Sequence, residues 1–446
     1  MMRSGLLLPD SRNNLIAFWL FGLCNNFAYV VMLSAAKDIL EPDEHNPING
    51  TNISCIEDRS TAKCSQISTG AVLLADIIPS LVIKIITPFV FTSIAYNVRQ
   101  VLVISLQFFS FVVVATSKTA FIGLSGVVLA SLGSGLGDVT MLALSSHFPS
   151  NVISSWSSGT GGAGVIGAVA YAFLTDKSLV NMTPRHALLS MLVVPWVFAF
   201  TFFYLLRTPF TVYKATLLQP STYFIPTDAS DFHAETSSLH SDNPERRLLQ
   251  DSEESSEEER EEIEDVEAVS GVMQKLRLIQ PLLKYMIPLC VVYFAEYFIN
   301  YGFLELLIFD CNHGFKLSQT AQYRWYNVLY QIGVFVSRTS VGVFTLPLKF
   351  MPVIAGLQLV NAFAFAQQAM LHYYDHIAIA FVWILYEGIL GGTAYAHTFH
   401  SVHTSIPRRR REFSLAFVTM SDSIGILIAG LSAIPAHNYI CSRFFN

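Results

Sequence analysis

Long apolar runs broken by short polar stretches dominate the chain, with neither the narrow apolar stripe of a soluble helix nor the alternation of a half-buried strand. A helix needs about 20 apolar residues to cross the hydrocarbon core of a bilayer. Runs of that order cover residues 14–36, 69–93, 98–117, 120–147, 152–175, 186–208, 281–309, 318–342, 346–371, 376–401 and 411–436. Each predicts a spanning helix, because backbone polar groups in lipid must be satisfied within their own segment, and the alternating pattern of a membrane β-barrel is absent. The first run follows Arg3 and Arg12, yet it exceeds a signal-peptide core and carries Asn25 and Asn26 mid-span, so it reads as a retained helix.

Between the sixth and seventh runs the pattern changes. Residues 209–280 are rich in Ser, Glu, Asp and Pro, include SEESSEEEREEIEDVE, and are expected to lack fixed structure because they cannot bury a core. They divide the chain into an N-terminal six-helix bundle (1–208), with a polar loop at 37–68, and a five-helix bundle (281–446). The predicted fold class is an all-α membrane protein of about 11 transmembrane helices in a 6+5 two-bundle arrangement. That layout is the one used by transporters built from two related bundles.

Positive charge orients the chain. Arg408 to Arg411 separate the last two runs, and Lys275, Arg277 and Lys284 precede the seventh, which places these loops and the N-terminus in the cytosol. Loop 37–68 and the C-terminus then face the lumen. The sequons Asn49-Gly-Thr and Asn52-Ile-Ser in that loop, and the weaker Asn181-Met-Thr, agree, so Asn49 and Asn52 are predicted glycosylation sites. Cys55 and Cys64 share the loop and are candidates for a lumenal disulfide, whereas Cys24, Cys290, Cys311 and Cys441 read as small buried apolar residues.

Composition narrows the function classes. Charged residues make up 13% of the chain, about half the share in soluble proteins, and much of the acid behind the net charge of -6 lies between Glu253 and Glu267. Apart from Arg408 to Arg411 there is no basic stripe, so nucleic acid is not an expected partner. SSGTGGAGVIGA, from Ser157, follows no strand and lies inside an apolar run, so it is not read as a phosphate loop. Gly159, Ala163 and Gly167 recur at four-residue spacing, which suits close helix packing or a sliding surface. His397, His400 and His403 form one cluster where membrane metalloenzymes use several, so neither metal, cofactor nor enzymatic activity is expected. His397 and His400 remain candidates for proton coupling, or are interfacial polar residues.

Charges inside the runs carry the chemistry, because each costs at least about 2.5 kcal/mol at the bilayer centre unless paired or facing a wet cavity. They are Asp76, Lys84, Asp138, Glu296, Arg324, Arg338, Glu387 and Asp422. Any one of them can be a substrate contact, a structural ion pair or a snorkelling end. Arg324, Gln331 and Arg338 share one face of the eighth run, with Asn327 adjacent and Tyr330 nearby. Tyr293, Glu296 and Asn300 share a face of the seventh, while Glu305 points the other way and reads as a lumenal-end residue.

At these residues the chain resembles the battenin family, in FGLCNNFAYVVMLSAAKDIL, SSGTGGAG, YFAEYFINYG, QYRWYNVLYQIGVFVSRTS, YEGILGGTAYAHTFH, and REF followed by SDSIG. The resemblance implies a lysosomal and late-endosomal membrane protein with a major-facilitator-like fold, linked to clearing glycerophosphodiesters from the lysosome. It also leaves open basic amino acid transport or lysosomal pH regulation, and a membrane scaffold in endolysosomal and Golgi trafficking. The loop after the second run reads TSIAYNVRQ in place of the usual facilitator GxxxDRxGRR, and of the three histidines only His400, in TFH, belongs to the family pattern.

The reading adopted is a transporter of a small polar or zwitterionic solute, working by alternating access, with a central site lined by runs one, two, four, seven, eight and ten. Arg324 or Arg338 with Lys84 would hold an anionic group, and Glu296 with Tyr293 and Tyr330 a cationic head. About 21 Å of helix separates the two arginines, so only one can touch a small phosphate, and Arg338 is preferred. Asn25, Asn26, Asp138, Asn300, Asn327, Gln331 and Glu387 complete the candidate site. Membrane lipids surround the protein, and in the acidic loop Leu248-Leu249 is a candidate sorting contact for trafficking adaptors while Ser255 and Ser256, each with an acidic residue three positions on, are candidate phosphorylation sites.

Overall fold

The computed structural model describes residues 9–35, 70–175, 180–216, 219–225 and 279–444. The N-terminal half contains α1 (Pro9–Ser34), α2 (Gly70–Val90), α3 (Tyr96–Thr116), α4 (Ala120–Ser145), α5 (Asn151–Thr175), α6 (Pro184–Ser190) and α7 (Val193–Phe200). The C-terminal half contains α8 (Leu283–Gly302), α9 (Gln319–Ser340), α10 (Met351–Leu371), α11 (Ile377–Ser405), α12 (Arg408–Val418) and α13 (Met420–Phe444). The sixth apolar run is thus built as α6 and α7 with a π-helical turn at Thr201–Leu205, and the last as α12 and α13. Polar residues between runs act as caps: Thr119, Thr183 and Ser318 each accept a backbone N–H at the start of α4, α6 and α9.

Among the described residues nine segments are long and apolar enough to cross a membrane. Two further long helices, α5 and α9, are too polar to qualify, the first with its Ser and Gly run and the second with Arg324, Gln331 and Arg338. Both lie inside the molecule's central seam, where polarity faces protein and cavity. Large apolar side chains such as Trp196, Phe200, Phe363 and Val382 are exposed on the outside, as lipid contact requires.

Packing relates the halves to each other. In the first half α1 packs on α5 and α2 on α4; in the second, α8 packs on α13 and α9 on α11. Across the seam α5 meets α9 and α2 meets α13. Exchanging each run for the one six places along maps these pairs onto one another, a two-fold relation that the sequence does not show by eye. Close approach depends on glycine: Gly22 and Gly159 lie against each other's backbone neighbours between α1 and α5, as Gly333 and Gly388 do between α9 and α11. The Gly159, Ala163, Gly167 stripe is therefore a packing face, with Gly167 against Val30.

Two expectations change. The segment expected to lack structure from residue 209 is ordered as far as 225 in its described parts, where Asn97 Nδ2 donates to Ala215 O at 2.5 Å and Ala95 N to Tyr223 O at 2.9 Å. Backbone groups here find partners at the start of α3, which composition alone does not reveal. Cys311 and Cys441, read as small apolar residues, are both disulfide-bonded, while Cys24 and Cys290 are reduced. The sequons at Asn49 and Asn52, Cys55, Cys64, and the acidic run with its leucine pair lie outside the described residues.

Candidate functional site

A cavity of about 530 Å³ separates the halves. It reaches from Thr160 and Arg338 in the middle of the molecule to Ser34, Thr175, Glu305 and Gln319, at the end where α1, α5 and α8 finish and α9 begins. That end is the one expected to face the lumen. The opposite end is shut by contacts between halves. Phe89 of α2 packs edge-on against Phe413 and Phe417 of α12, with centroids 6.1 and 6.3 Å away. Glu412 of α12 accepts a hydrogen bond from the Tyr96 hydroxyl and lies 3.8 Å from His147 Nε2, and His403 Nε2 is 3.1 Å from Ser145 O.

Tyrosine dominates the wall, with Tyr29, Tyr171, Tyr297, Tyr301, Tyr323 and Tyr330. The side chains of Tyr293, Tyr297 and Tyr301, one turn apart on α8, stack at 6.0 and 5.8 Å between centroids. Such a surface is apolar on its faces and hydrogen-bonding at its rim, and its π faces attract organic cations.

Arg338 closes the inner end. Its Nη1 donates to Thr160 Oγ1 at 2.7 Å, its Nη2 to Tyr293 OH at 2.9 Å, and its Cζ lies 4.2 Å from the Tyr395 ring centroid. Nε has no partner, and the guanidinium makes no ion pair among the described residues although the side chain is buried. A buried cation held only by neutral hydroxyls and a π face is poised for an anion, since hydroxyls offset only part of the desolvation cost. Of the other residues on that face of α9, Asn327 and Gln331 line the wall and Arg324 is exposed at the mouth.

Lys84 is placed differently. Its Nζ lies 3.0 Å from Asp138 Oδ2 and 3.1 Å from Asp422 Oδ1, so one ammonium bridges α2, α4 and α13 across the seam. Asn25 Nδ2 donates to Asp138 Oδ1 at 2.8 Å, and Asn26 lines a small cavity beside this cluster together with Asp76, Tyr293 and Arg338. With two carboxylates in contact, Lys84 belongs to an interhalf ion-pair network and not to the wall of the larger cavity.

Glu296 and Glu387 also lie off that wall. The Tyr330 hydroxyl donates to Glu296 Oε1, and Asn300 Nδ2 donates to Glu387 Oε1 at 3.1 Å, so Tyr330 and Asn300 stand between these carboxylates and the cavity. His397 is buried with Nδ1 accepting from Leu346 N at 3.1 Å, and neither it nor His400 lines either cavity.

The cavity wall adds residues that the sequence did not mark. Thr160, Ala168 and Tyr171 bring in the fifth run, and Glu305, read as an end residue, stands on the wall because α8 gives way to a 3-10 turn at Leu304–Leu306. Asp422, marked as a charge inside the last run but not as a site residue, joins Lys84 at the smaller cavity. The ladder of tyrosines four residues apart in YFAEYFINYG was a visible signal; Thr160 was hidden among small residues whose packing role explained them.

Comparison with known proteins adds a family and a fold. A sequence profile of the CLN3 protein family matches residues 16–443. The chain is 40% identical to battenin of Canis lupus familiaris, covering 96% of this chain and 91% of that protein. It is 33% identical to protein BTN1 of Yarrowia lipolytica, over 96% and 95% of the two. In three dimensions it resembles the human organic anion transporter MFSD10, with a TM-score of 0.59, 14% identity and coverage of 98% and 97%. A bacterial homologue of the human lysosomal transporter Spinster, in an inward-facing and unoccupied conformation, aligns at a TM-score of 0.53 with 13% identity and coverage of 96% and 82%. At such identity these structures show a shared major-facilitator-like fold alone.

Proposed function

The chain belongs to the CLN3 family and is a multi-pass membrane protein, and from that premise we propose that it exports glycerophosphodiesters from lysosomes and late endosomes by alternating access. One observation carries the reading: Arg338, a buried guanidinium with no carboxylate partner among the described residues, closes the inner end of a tyrosine-walled cavity between two halves. A phosphodiester carries one negative charge on oxygens that a planar fork can meet with two hydrogen bonds. The Thr160 and Tyr293 hydroxyls already orient that fork. A choline or ethanolamine head would then lie toward the aromatic faces of Tyr297, Tyr301 and Tyr323, with Glu305 beyond them. The tight contacts at Glu412 and the cavity at the other end correspond to a lumen-facing state.

Oxidised Cys311 and Cys441 follow α8 and end α13, on the same side as the cavity mouth, which supports a non-cytosolic location for that side. Basic amino acids fit less well, because the innermost charge they would meet is Arg338. The test is uptake into vesicles reconstituted with the purified full chain. Saturable uptake of labelled glycerophosphocholine, competed by other glycerophosphodiesters and not by lysine or arginine, is expected. Saturable uptake of lysine with none of the diester would overturn the substrate assignment.

A further inference from the structure

Behind Tyr330 and Asn300 the C-terminal half encloses a second polar cluster. Glu296 of α8 and Glu387 of α11 are 1% and 0% exposed. They are neighbours: Gly391, one turn after Glu387, lies under the Glu296 carboxylate so closely that a methyl there would collide with it. Asn300 Nδ2 is divided between Glu387 Oε1 at 3.1 Å and the Glu296 carbonyl at 3.0 Å. Glu296 Oε2 and Glu387 Oε2 have no hydrogen-bond partner among the described residues. Around them stand further buried amides with unmet atoms. Gln358 of α10 donates to the Glu387 carbonyl, while among the described residues its Oε1 and both amide atoms of nearby Asn361 find no partner.

The charged and titratable groups facing this pair are few. From α8 they are Tyr293 and Tyr297, from α9 Tyr330 and Arg338, and α10 contributes only the neutral Gln358 and Asn361. Arg338 is turned to Thr160 and Tyr293, and α13's Asp422 is paired with Lys84. Neither glutamate has an ion pair among the described residues. Two neighbouring buried carboxylates with no cation in contact with either cannot both be ionised, so at least one holds a proton.

We propose that Glu296 and Glu387 form a proton-binding site that couples solute movement to proton movement. Tyr330 and Asn300 belong to the cavity wall and to the cluster at once, which joins the site to water on the side the cavity faces. A hydronium in the cavity gives its proton to a carboxylate oxygen, forming one O–H bond and leaving water. After the halves rock, the same bond breaks toward cytosolic water. Tyr330, part of the cavity wall and hydrogen-bonded through its hydroxyl to Glu296, links occupancy of the cavity to protonation of the pair. The directional coupling rests on the transporter reading; the protonation itself does not.

Two measurements separate these. Infrared difference spectra of the purified chain between acidic and neutral pH, without substrate, report the carboxylic-acid carbonyl band. A band that is lost in Glu387→Gln and shifted or lost in Glu296→Gln is expected, and a band untouched by both variants overturns the site whether or not the protein transports. In vesicles, wild-type uptake of glycerophosphocholine is expected to rise several-fold when the external medium is more acidic than the interior, while Glu387→Gln responds to no gradient whatever its absolute rate. Uptake by the wild type that follows a sodium gradient and ignores pH would overturn the coupling.

Discussion

Arg338 shows how one side chain acquires a role from its surroundings. The same residue type at Arg324 is exposed at the cavity mouth, where water screens it, whereas Arg338 is buried and held by Thr160, Tyr293 and the Tyr395 ring. A charge-assisted hydrogen bond is worth about 1.5–3 kcal/mol, so Arg338→Gln is expected to lower glycerophosphocholine uptake efficiency roughly 10- to 100-fold. Arg338→Lys should recover little, because an ammonium cannot reproduce the fork. Initial uptake rates over a range of substrate concentrations measure this, and wild-type values for Arg338→Gln in folded, reconstituted protein would remove the residue from the site. Spacing alone placed Arg324 and Arg338 on one face of one helix and showed that a single phosphate could not reach both. It could not show that Thr160, from a different half, would hold the inner one.

Contacts of α2, α3 and the end of α4 with α11 and α12 decide which end of the molecule is open. Glu412, at the start of α12, meets Tyr96 and His147 from the other half, beside the packing of Phe89 on Phe413 and Phe417. These contacts hold only while that end is shut, so losing them favours the alternative state. Glu412→Ala is expected to shift the equilibrium by about 1–2 kcal/mol, roughly 5- to 30-fold in population. A cysteine placed at Thr160 should then react faster with a membrane-impermeant maleimide added from the Glu412 side. An unchanged labelling rate would show that these contacts do not gate the cavity. Helix existence was legible for these elements from their apolar runs, but the break between α6 and α7 and the joining of Arg408 to Arg411 into α12 were not, because both depend on neighbouring helices.

Two bundles related by a shift of six runs make up the described helices, and their two ends differ chemically. Oxidised Cys311 and Cys441 mark one end; Arg408, Arg410 and Arg411 mark the other. An impermeant thiol reagent applied to intact lysosomes is expected to leave both cysteines unlabelled, and to label them only after reduction and permeabilisation. Labelling of either one in intact, unreduced organelles would invert the orientation. The positive-inside count and the sequons predict the same lumenal side for these cysteines, although the sequons at Asn49 and Asn52 fall outside the described residues.

What the chain determined by itself follows from the solvent it must live in. Lipid demands long apolar helices, so membrane class, helix positions and the buried charges were written in one-dimensional pattern. The division of those charges was decided only by tertiary contact. Lys84 meets Asp138 and Asp422, Arg338 meets no carboxylate, and Glu296 with Glu387 meets no cation among the described residues. Each of these partnerships joins helices far apart in the chain, and helical periodicity specifies which face a residue occupies but not which helix lies opposite.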